Sequence, residues 1–466
     1  MSRNSKLTIE HLWTVFAEIE TRESLVSWQV GSIYIWPLIR ASLMREVAEK
    51  LGVFEVRPPQ AKVPDVSAAD IAFAPANYAV VPFVRRNSVG LDPFSTYIVD
   101  SLVAHGEKPL ILGMGPDDVG SGRPQVEQLE REFLSRYRNL AKLAVAPTLR
   151  KSHAQKYALA IAYLENVLAA YADGAGVAAA DITGPYRSFP RWLLVDFWAQ
   201  RRGWKKFFKT AGVRKVFIVN AWKRAMIAGA QAAGVTVVEP MHGAISGIHP
   251  YLSWPRTDSV AYQPDELLEW GEYWGDVANL PARTKRRVIG APEFVTQAIV
   301  LEASLAKSGE AHQPNTVLIA SQAHATQAIT EFLLVAARAN PEIVFTLKQH
   351  PQEAPADFGD SAPANLQLAD PSANTFDLMA RSEFVLGVYS TALFEALTLG
   401  CKVGVLGFSG WQHIRGLVDH GDATLIEDQT QLQSFFAQAK AGSASDYYYA
   451  KPASEAELWA AIKIAE

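Results

Sequence analysis

The chain has 466 residues, a formal net charge of −4, 49% hydrophobic and 20% charged residues, and one cysteine. At about 100–200 residues per domain, this length implies two or three domains with sizeable cores. The slightly acidic balance gives no reason to expect nucleic-acid binding, and the lone Cys401 excludes an intrachain disulfide, which points to a reducing, cytoplasmic setting.

The N-terminus MSRNSKLTIEHLW lacks the apolar core of a signal peptide. No stretch of about 18 apolar residues escapes interruption by charge, so no transmembrane helix is expected. An N-terminal helical arm leads into an irregular, Pro-containing connector at 55–68. From about residue 69, short apolar runs alternate with helical stretches. Strands are predicted at 71–74 and 109–113, followed by a long helical region at 124–172. Further strands are predicted at 216–219, 235–238, 259–262, 267–270 and 287–290, with an Ala-rich helix at 222–233. A polar stretch around 303–314 reads as a linker. The pattern then restarts, with strands at 316–320, 343–347, 366–368, 384–387 and 403–406 and helices at 325–339, 374–381 and 391–399. Cys401, in the apolar run Leu399-Gly400-Cys401-Lys402-Val403, reads as a core thiol.

Strands alternating with helices imply parallel βαβ units. The expected fold is therefore α/β: two Rossmann-like doubly wound domains facing a cleft, with the helical arm in front. The expected division is a first domain at 1–302, the linker at 303–314, a second domain at 315–450 and a C-terminal helix at 451–466. Ligands of such sheets bind beyond the carboxyl ends of the strands, so polar residues just after strands are the candidates.

Three strand ends stand out. Lys348-Gln349-His350-Pro351 follows the strand 343–347. An imidazole N–H there can donate to a phosphate oxygen, and Lys348 adds positive charge; equally, a turn histidine on a loop has this pattern. Gly387-Val388-Tyr389-Ser390-Thr391-Ala392-Leu393-Phe394-Glu395 ends a strand and opens a helix. Its Ser-Thr hydroxyls and free backbone N–H groups suit an anion, and Glu395 lies within reach of a sugar hydroxyl; a plain helix cap would read the same. Glu239-Pro240-Met241-His242-Gly243 follows the strand 235–238 and places a histidine, with an ordinary pKa near 6.5, at the cleft. Gln322, just beyond the strand 316–320, belongs to the same set of strand-end residues. A fourth stretch, Arg201-Arg202-Gly203-Trp204-Lys205-Lys206-Phe207-Phe208-Lys209, interleaves cations with aromatics. It suits either an anionic membrane surface or a solvated helix face over a buried aromatic stripe.

The order His-Pro, then Ser-Thr-Ala-Leu-x-Glu-Ala after a Gly-ended strand, resembles the donor half of GT-B glycosyltransferases over about residues 315–430. It is most similar to bacterial sialyltransferases, polysialyltransferases and Kdo transferases of capsule and lipopolysaccharide assembly, and CDP-glycerol-type transferases share the plan. The resemblance implies that His350, Ser390 and Thr391 hold the phosphate of a nucleotide-sugar donor, with the strand-end residues Lys348, Pro351, Glu395 and Gln322 expected beside it. The His242-Gly243 loop resembles the acceptor-facing loop of CDP-glycerol-type members. His242 is then the general base, with Glu239 or Glu272 as the alternatives. Segments such as Ile248-His249-Pro250-Tyr251, Trp270-Gly271-Glu272-Tyr273-Trp274 and Ile35-Trp36-Pro37-Leu38-Ile39-Arg40 resemble surface-polysaccharide transferases. That likeness implies a pathway, surface-polysaccharide assembly, in which a glycan or glycolipid acceptor is expected; such an acceptor together with the basic-aromatic stretch 201–209 implies a cytoplasmic enzyme at the inner face of a membrane.

No Gly-x-Gly-x-x-Gly fingerprint, Walker loop, zinc spacing or Asp-x-Asp motif is present. The resemblance accordingly implies a metal-independent enzyme with no cofactor beyond its donor substrate. A CMP-linked donor is favoured. A CDP-alditol or a UDP-, GDP- or dTDP-sugar, a UDP-sugar 2-epimerase activity, and an inactive scaffold of polysaccharide assembly remain as alternatives.

Overall fold

The computed structural model describes residues 7–54, 74–83, 92–113, 123–255, 260–291, 312–323, 325–350, 353, 356–359, 362–443 and 445–464. The N-terminal arm consists of α1 (Ile9–Arg22), a two-residue hairpin of β1 (Gln29–Val30) and β2 (Ile33–Tyr34), and α2 (Trp36–Lys50). Its apolar faces, including Phe16, Trp36 and Leu43, are buried.

Two six-stranded parallel sheets follow. The first contains β3 (Tyr78–Val81), β4 (Leu110–Ile111), β5 (Lys215–Ile218), β6 (Thr236–Pro240), β7 (Glu266–Glu269) and β8 (Lys285–Val288), in the order β4-β3-β5-β6-β7-β8. The second contains β9 (Gln313–Ala320), β10 (Val344–Lys348), β11 (Leu366–Leu368), β12 (Ser382–Gly387), β13 (Lys402–Leu406) and β14 (Thr424–Ile426), in the order β11-β10-β9-β12-β13-β14. Counted within itself, the second sheet has the 3-2-1-4-5-6 order of dinucleotide-binding folds, whose ligand crevice opens where the order reverses, here between β9 and β12. In the first sheet the reversal lies between β3 and β5. Strands β3, β5 and β7 are buried along their whole length, as parallel strands covered on both faces must be.

The helices of the first half are α3 (Thr96–Ala104), α4 (Val126–Val145), α5 (Lys151–Ala175), α6 (Arg191–Ala211), α7 (Arg224–Ala232) and α8 (Glu272–Val277). The helical region predicted at 124–172 is two helices. Pro147 has no N–H to continue the ladder, so α4 ends in a tight turn at Ala146–Thr148. The strand predicted at 259–262 is absent over its described residues: Val260 precedes a turn in which Tyr262 has φ +61°, its carbonyl bound by Arg224 and its hydroxyl by the Tyr34 N–H. Of the strand predicted at 71–74, residues 71–73 lie outside the described residues, as do 303–311 of the linker; the first strand described after the arm is β3. On α6, Trp204, Phe207 and Phe208 point into the core while Arg202, Lys205, Lys206 and Lys209 face solvent. The basic-aromatic stretch is thus a solvated face over a buried stripe, and its aromatics offer nothing to a membrane. Cys401 is buried against the Met379 carbonyl, and burial pushes its thiol up to about 12.

The two halves share a core. Trp270, Tyr273 and Trp274 of the first pack on Phe394 of the second and on Tyr448 and Tyr449, with Trp274 and Phe394 ring centroids 4.7 Å apart. Residues 445–453 form a strap back across the first half. Tyr447 carbonyl accepts from Tyr273 N–H (2.9 Å), Ala450 N–H donates to Trp270 carbonyl (2.8 Å) and Ala453 N–H to Ile289 carbonyl (3.0 Å). The final helix, Glu455–Ile462, then buries Leu458 and Ile462 with Tyr78 and Val80 of the first sheet. The strap needs glycine at 271, where a Cβ would lie 2.4 Å from the Tyr447 carbonyl oxygen and 2.5 Å from that of Tyr448. Gly271→Ala is expected to cost about 1–3 kcal/mol through this overpacking, seen as a lowered unfolding midpoint. An unchanged midpoint would show that the strap yields freely.

Candidate functional site

On the first half, the site is built at the end of β6. Glu239 is buried and accepts a hydrogen bond from Ala221 N–H at 3.1 Å. Burial pushes its carboxyl up to about 7, against the opposing pull of that amide and the Arg224 charge. His242 Nδ1 lies 3.8 Å from Glu239 Oε1. Its ring is flanked by Phe83 (centroids 5.2 Å) and Phe94 (6.3 Å), which follow β3. Asp92 fixes both phenylalanines, its carboxylate accepting from Phe83 N–H (2.8 Å) and Phe94 N–H (3.0 Å).

The loop after His242 meets the second half. Ser246 Oγ and His413 Nδ1 are 2.9 Å apart, and the His413 ring is 5.7 Å from that of Tyr389, which follows β12. His249 Nδ1 accepts from Tyr251 N–H (3.3 Å) and Leu252 N–H (3.2 Å). Burial, then the charges of His413, His242, Arg224 and Arg40, push its pKa down to about 3. His249 is therefore neutral at physiological pH and braces the loop as an acceptor. Two arginines hold the same loop. Arg40 of α2 donates to the carbonyls of Pro250 (2.7 Å) and Ser253 (3.1 Å), and Arg224 of α7 to those of Tyr262 (2.7 Å) and Tyr251 (3.1 Å). Arg40 is itself held by the buried Glu20 carboxylate, which also accepts from Trp36 Nε1 at 2.6 Å.

On the second half, Gln322, His350, Ser390 and Thr391 all lie at carboxyl ends of strands, after β9, β10 and β12. Ser390 Oγ accepts from Ala392 N–H at 3.2 Å, and the Thr391 hydroxyl binds the Glu395 carboxyl, which burial raises to about 7. Gln322 and His350 shape their turns by backbone bonds, their carbonyls accepting from Ala325 N–H (2.8 Å) and Glu353 N–H (2.9 Å). Pro351 lies outside the described residues. The Lys348 ammonium points away from this group and donates to the carbonyls of Asp370 (3.0 Å) and Pro371 (2.7 Å) beyond β11.

Glu272 is not brought to His242. Its carboxylate pairs with Arg286 on β8, which also binds Glu269 and Asp276, each at 3.0 Å. Strand β8 is two strands from β6, about 10 Å across the sheet. Residues not singled out as site candidates also frame the site, among them Asp92, His413, Arg40 and Glu353. The last is a carboxyl raised by burial that accepts from Ser321 Oγ at 2.7 Å. Position after β13 was the one local signal for His413, and Arg40 closes the arm segment Ile35–Arg40 read from the sequence; Asp92 and Glu353 carry none.

No family model matches the chain, and no curated protein matches it in sequence. Among solved structures it is similar to UDP-GlcNAc 2-epimerase from Neisseria meningitidis bound to UDP-GlcNAc (TM-score 0.40, 14% identity, 78% of this chain and 90% of that one). It is also similar to MurG of Acinetobacter baumannii (TM-score 0.41, 13% identity, 78% and 91%) and to CalG4, the calicheamicin glycosyltransferase (TM-score 0.42, 10% identity, 78% and 90%). Each likeness is one of fold alone. With two parallel, doubly wound Rossmann-like sheets that touch through loops beyond their carboxyl ends, the chain has the GT-B plan.

Proposed function

We propose that the protein is a glycosyltransferase that moves a sugar from a nucleotide-activated donor, held by the second half, to an acceptor hydroxyl presented by the first. The observation that supports this reading is the contact between loops beyond the carboxyl ends of the two sheets, Ser246 after β6 with His413 after β13, where the Glu239–His242 pair precedes Ser246 on the first and the second sheet has its own crevice between β9 and β12. His242 takes the acceptor's proton as the acceptor oxygen attacks the anomeric carbon. The bond from that carbon to the donor phosphate oxygen breaks, and the nucleotide leaves carrying the electron pair. His350, Ser390 and Thr391 receive the phosphate. The motif order favours a CMP-linked donor, a sialic acid or Kdo type, and a surface glycan or glycolipid as acceptor.

Incubation with a panel of CMP-, CDP-, UDP-, GDP- and dTDP-activated donors, following nucleotide release with and without a glycan acceptor, tests this. Release of one nucleotide supports transfer and names the donor. Isomerisation of a UDP-sugar without release replaces transfer by epimerisation, and inertness towards the whole panel overturns both.

A variant checks the donor side. His350→Ala is expected to weaken donor-nucleotide binding by about ten- to hundredfold, the loss of one charge-assisted contact, with its melting curve unchanged. Calorimetric titration giving wild-type affinity would remove His350 from the donor site.

A further inference from the structure

We propose that the tip formed by the end of α4, the start of α5 and the start of α6 docks on an anionic lipid bilayer. From Phe133 to Leu164 the chain carries six cations, Arg136, Arg138, Lys142, Arg150, Lys151 and Lys156, and neither Asp nor Glu, in a protein whose overall charge is −4. The same tip exposes large apolar side chains. Leu143 is 73% and Leu140 45% accessible, and with the exposed Ala144 they share one face of the last turns of α4 at i, i+3 and i+4. Trp192, 57% accessible, stands at the start of α6.

The packing of α6 on α4 brings these groups together. Phe133 lies against Gly203, Tyr137 is 5.6 Å from Arg202, and Arg138 is 3.8 Å from Asp196. The two helices therefore run antiparallel, and Trp192 falls beside the Leu143 end. Arg136 and Arg138 are partly offset by Glu132 and Asp196. Lys142, Arg150, Lys151 and Arg191 are exposed and form no ion pair among the described residues. Leucine and tryptophan side chains ringed by cations suit the interface of a negatively charged membrane: the rings and leucines enter the headgroup boundary while the cations meet the surface potential. None of the described helices is long and apolar enough to cross a bilayer, so the contact is peripheral.

Sedimentation with phosphatidylcholine vesicles and with vesicles of phosphatidylcholine and phosphatidylglycerol in equal parts tests this without any assay of transfer. It stands or falls independently of the proposed reaction. Binding is expected only with the anionic vesicles and should fall as salt is raised. Lys142→Ala and Lys151→Ala should each weaken it about fivefold, and Leu143→Glu should abolish it. Lys205→Ala with Lys206→Ala, at the far end of α6, should leave it unchanged. All these side chains are exposed, so thermal midpoints should match wild type. Equal binding to both vesicle types, no binding to either, or an equal loss in the Lys205/Lys206 variant would overturn the proposal. So would a concentration-dependent dimer that Leu143→Glu dissolves, because the stripe would then be a contact between copies of this chain.

Discussion

Replacing His242 by alanine is expected to lower kcat by about 10²–10⁴-fold, the contribution of a well-placed general base, while donor affinity stays nearly intact. His242 sits at the end of β6, its ring framed by Phe83 and Phe94 and its Nδ1 facing Glu239. Burial holds the Glu239 carboxyl at about 7, so the proton content beside His242 changes across neutral pH. Activity should rise with pH through that region as the proton is lost. In His242→Ala this acidic limb should flatten. Glu239→Gln keeps an acceptor for Ala221 N–H and separates the two roles. If Glu239 only supports His242, the limb shifts but persists; if it vanishes in Glu239→Gln while His242→Ala retains it, Glu239 is the base. A His242→Ala variant whose donor affinity falls in step with its rate would make His242 a donor ligand instead.

The largest effect on stability is expected at Arg40. Arg40→Ala leaves the Glu20 carboxylate buried with Trp36 as its remaining hydrogen-bond partner, which should cost about 3–5 kcal/mol in urea unfolding. The loss should depend on pH. Burial raises the Glu20 carboxyl, with Arg40 opposing, so removing Arg40 raises it further. A carboxyl whose folded pKa lies above its unfolded value favours the folded state at low pH, and that support is lost as pH rises through the folded value. The deficit of Arg40→Ala should therefore shrink on acidification, and a deficit independent of pH would contradict the buried-charge account. The double variant Arg40→Met with Glu20→Leu removes both charges and should recover much of the stability. It should not recover full activity, because nothing then grips the carbonyls of Pro250 and Ser253 that carry the His249 loop.

Local sequence patterning specifies the two series of parallel strands. Each is a short apolar run that must be covered on both faces, and the runs at 216–219, 366–368 and 403–406 match strands of the structure to within a residue. It also determined which strand ends carry polar groups, because His242, His350, Ser390 and Thr391 sit next to the runs that place them. Tertiary structure decided what those groups face. A 2.9 Å contact joins Ser246 to His413 across 167 residues, and Arg40 reaches Pro250 across 210, separations at which no local pattern survives. It also decided charge and direction. Glu239 reads as an ordinary carboxylate until burial raises it, and Lys348 reads as a phosphate ligand until the carbonyls beyond β11 are seen to hold it. The aromatics at 204–208 turned inward because a packed helix must bury one face, while Leu140 and Leu143 near the end of α4 stayed outside because they lie off the face that buries Ala141 and Val145. Apolar periodicity is a local property that the chain displays residue by residue. Partner choice and desolvation depend on which distant segments share a volume, and only the packed structure settles that.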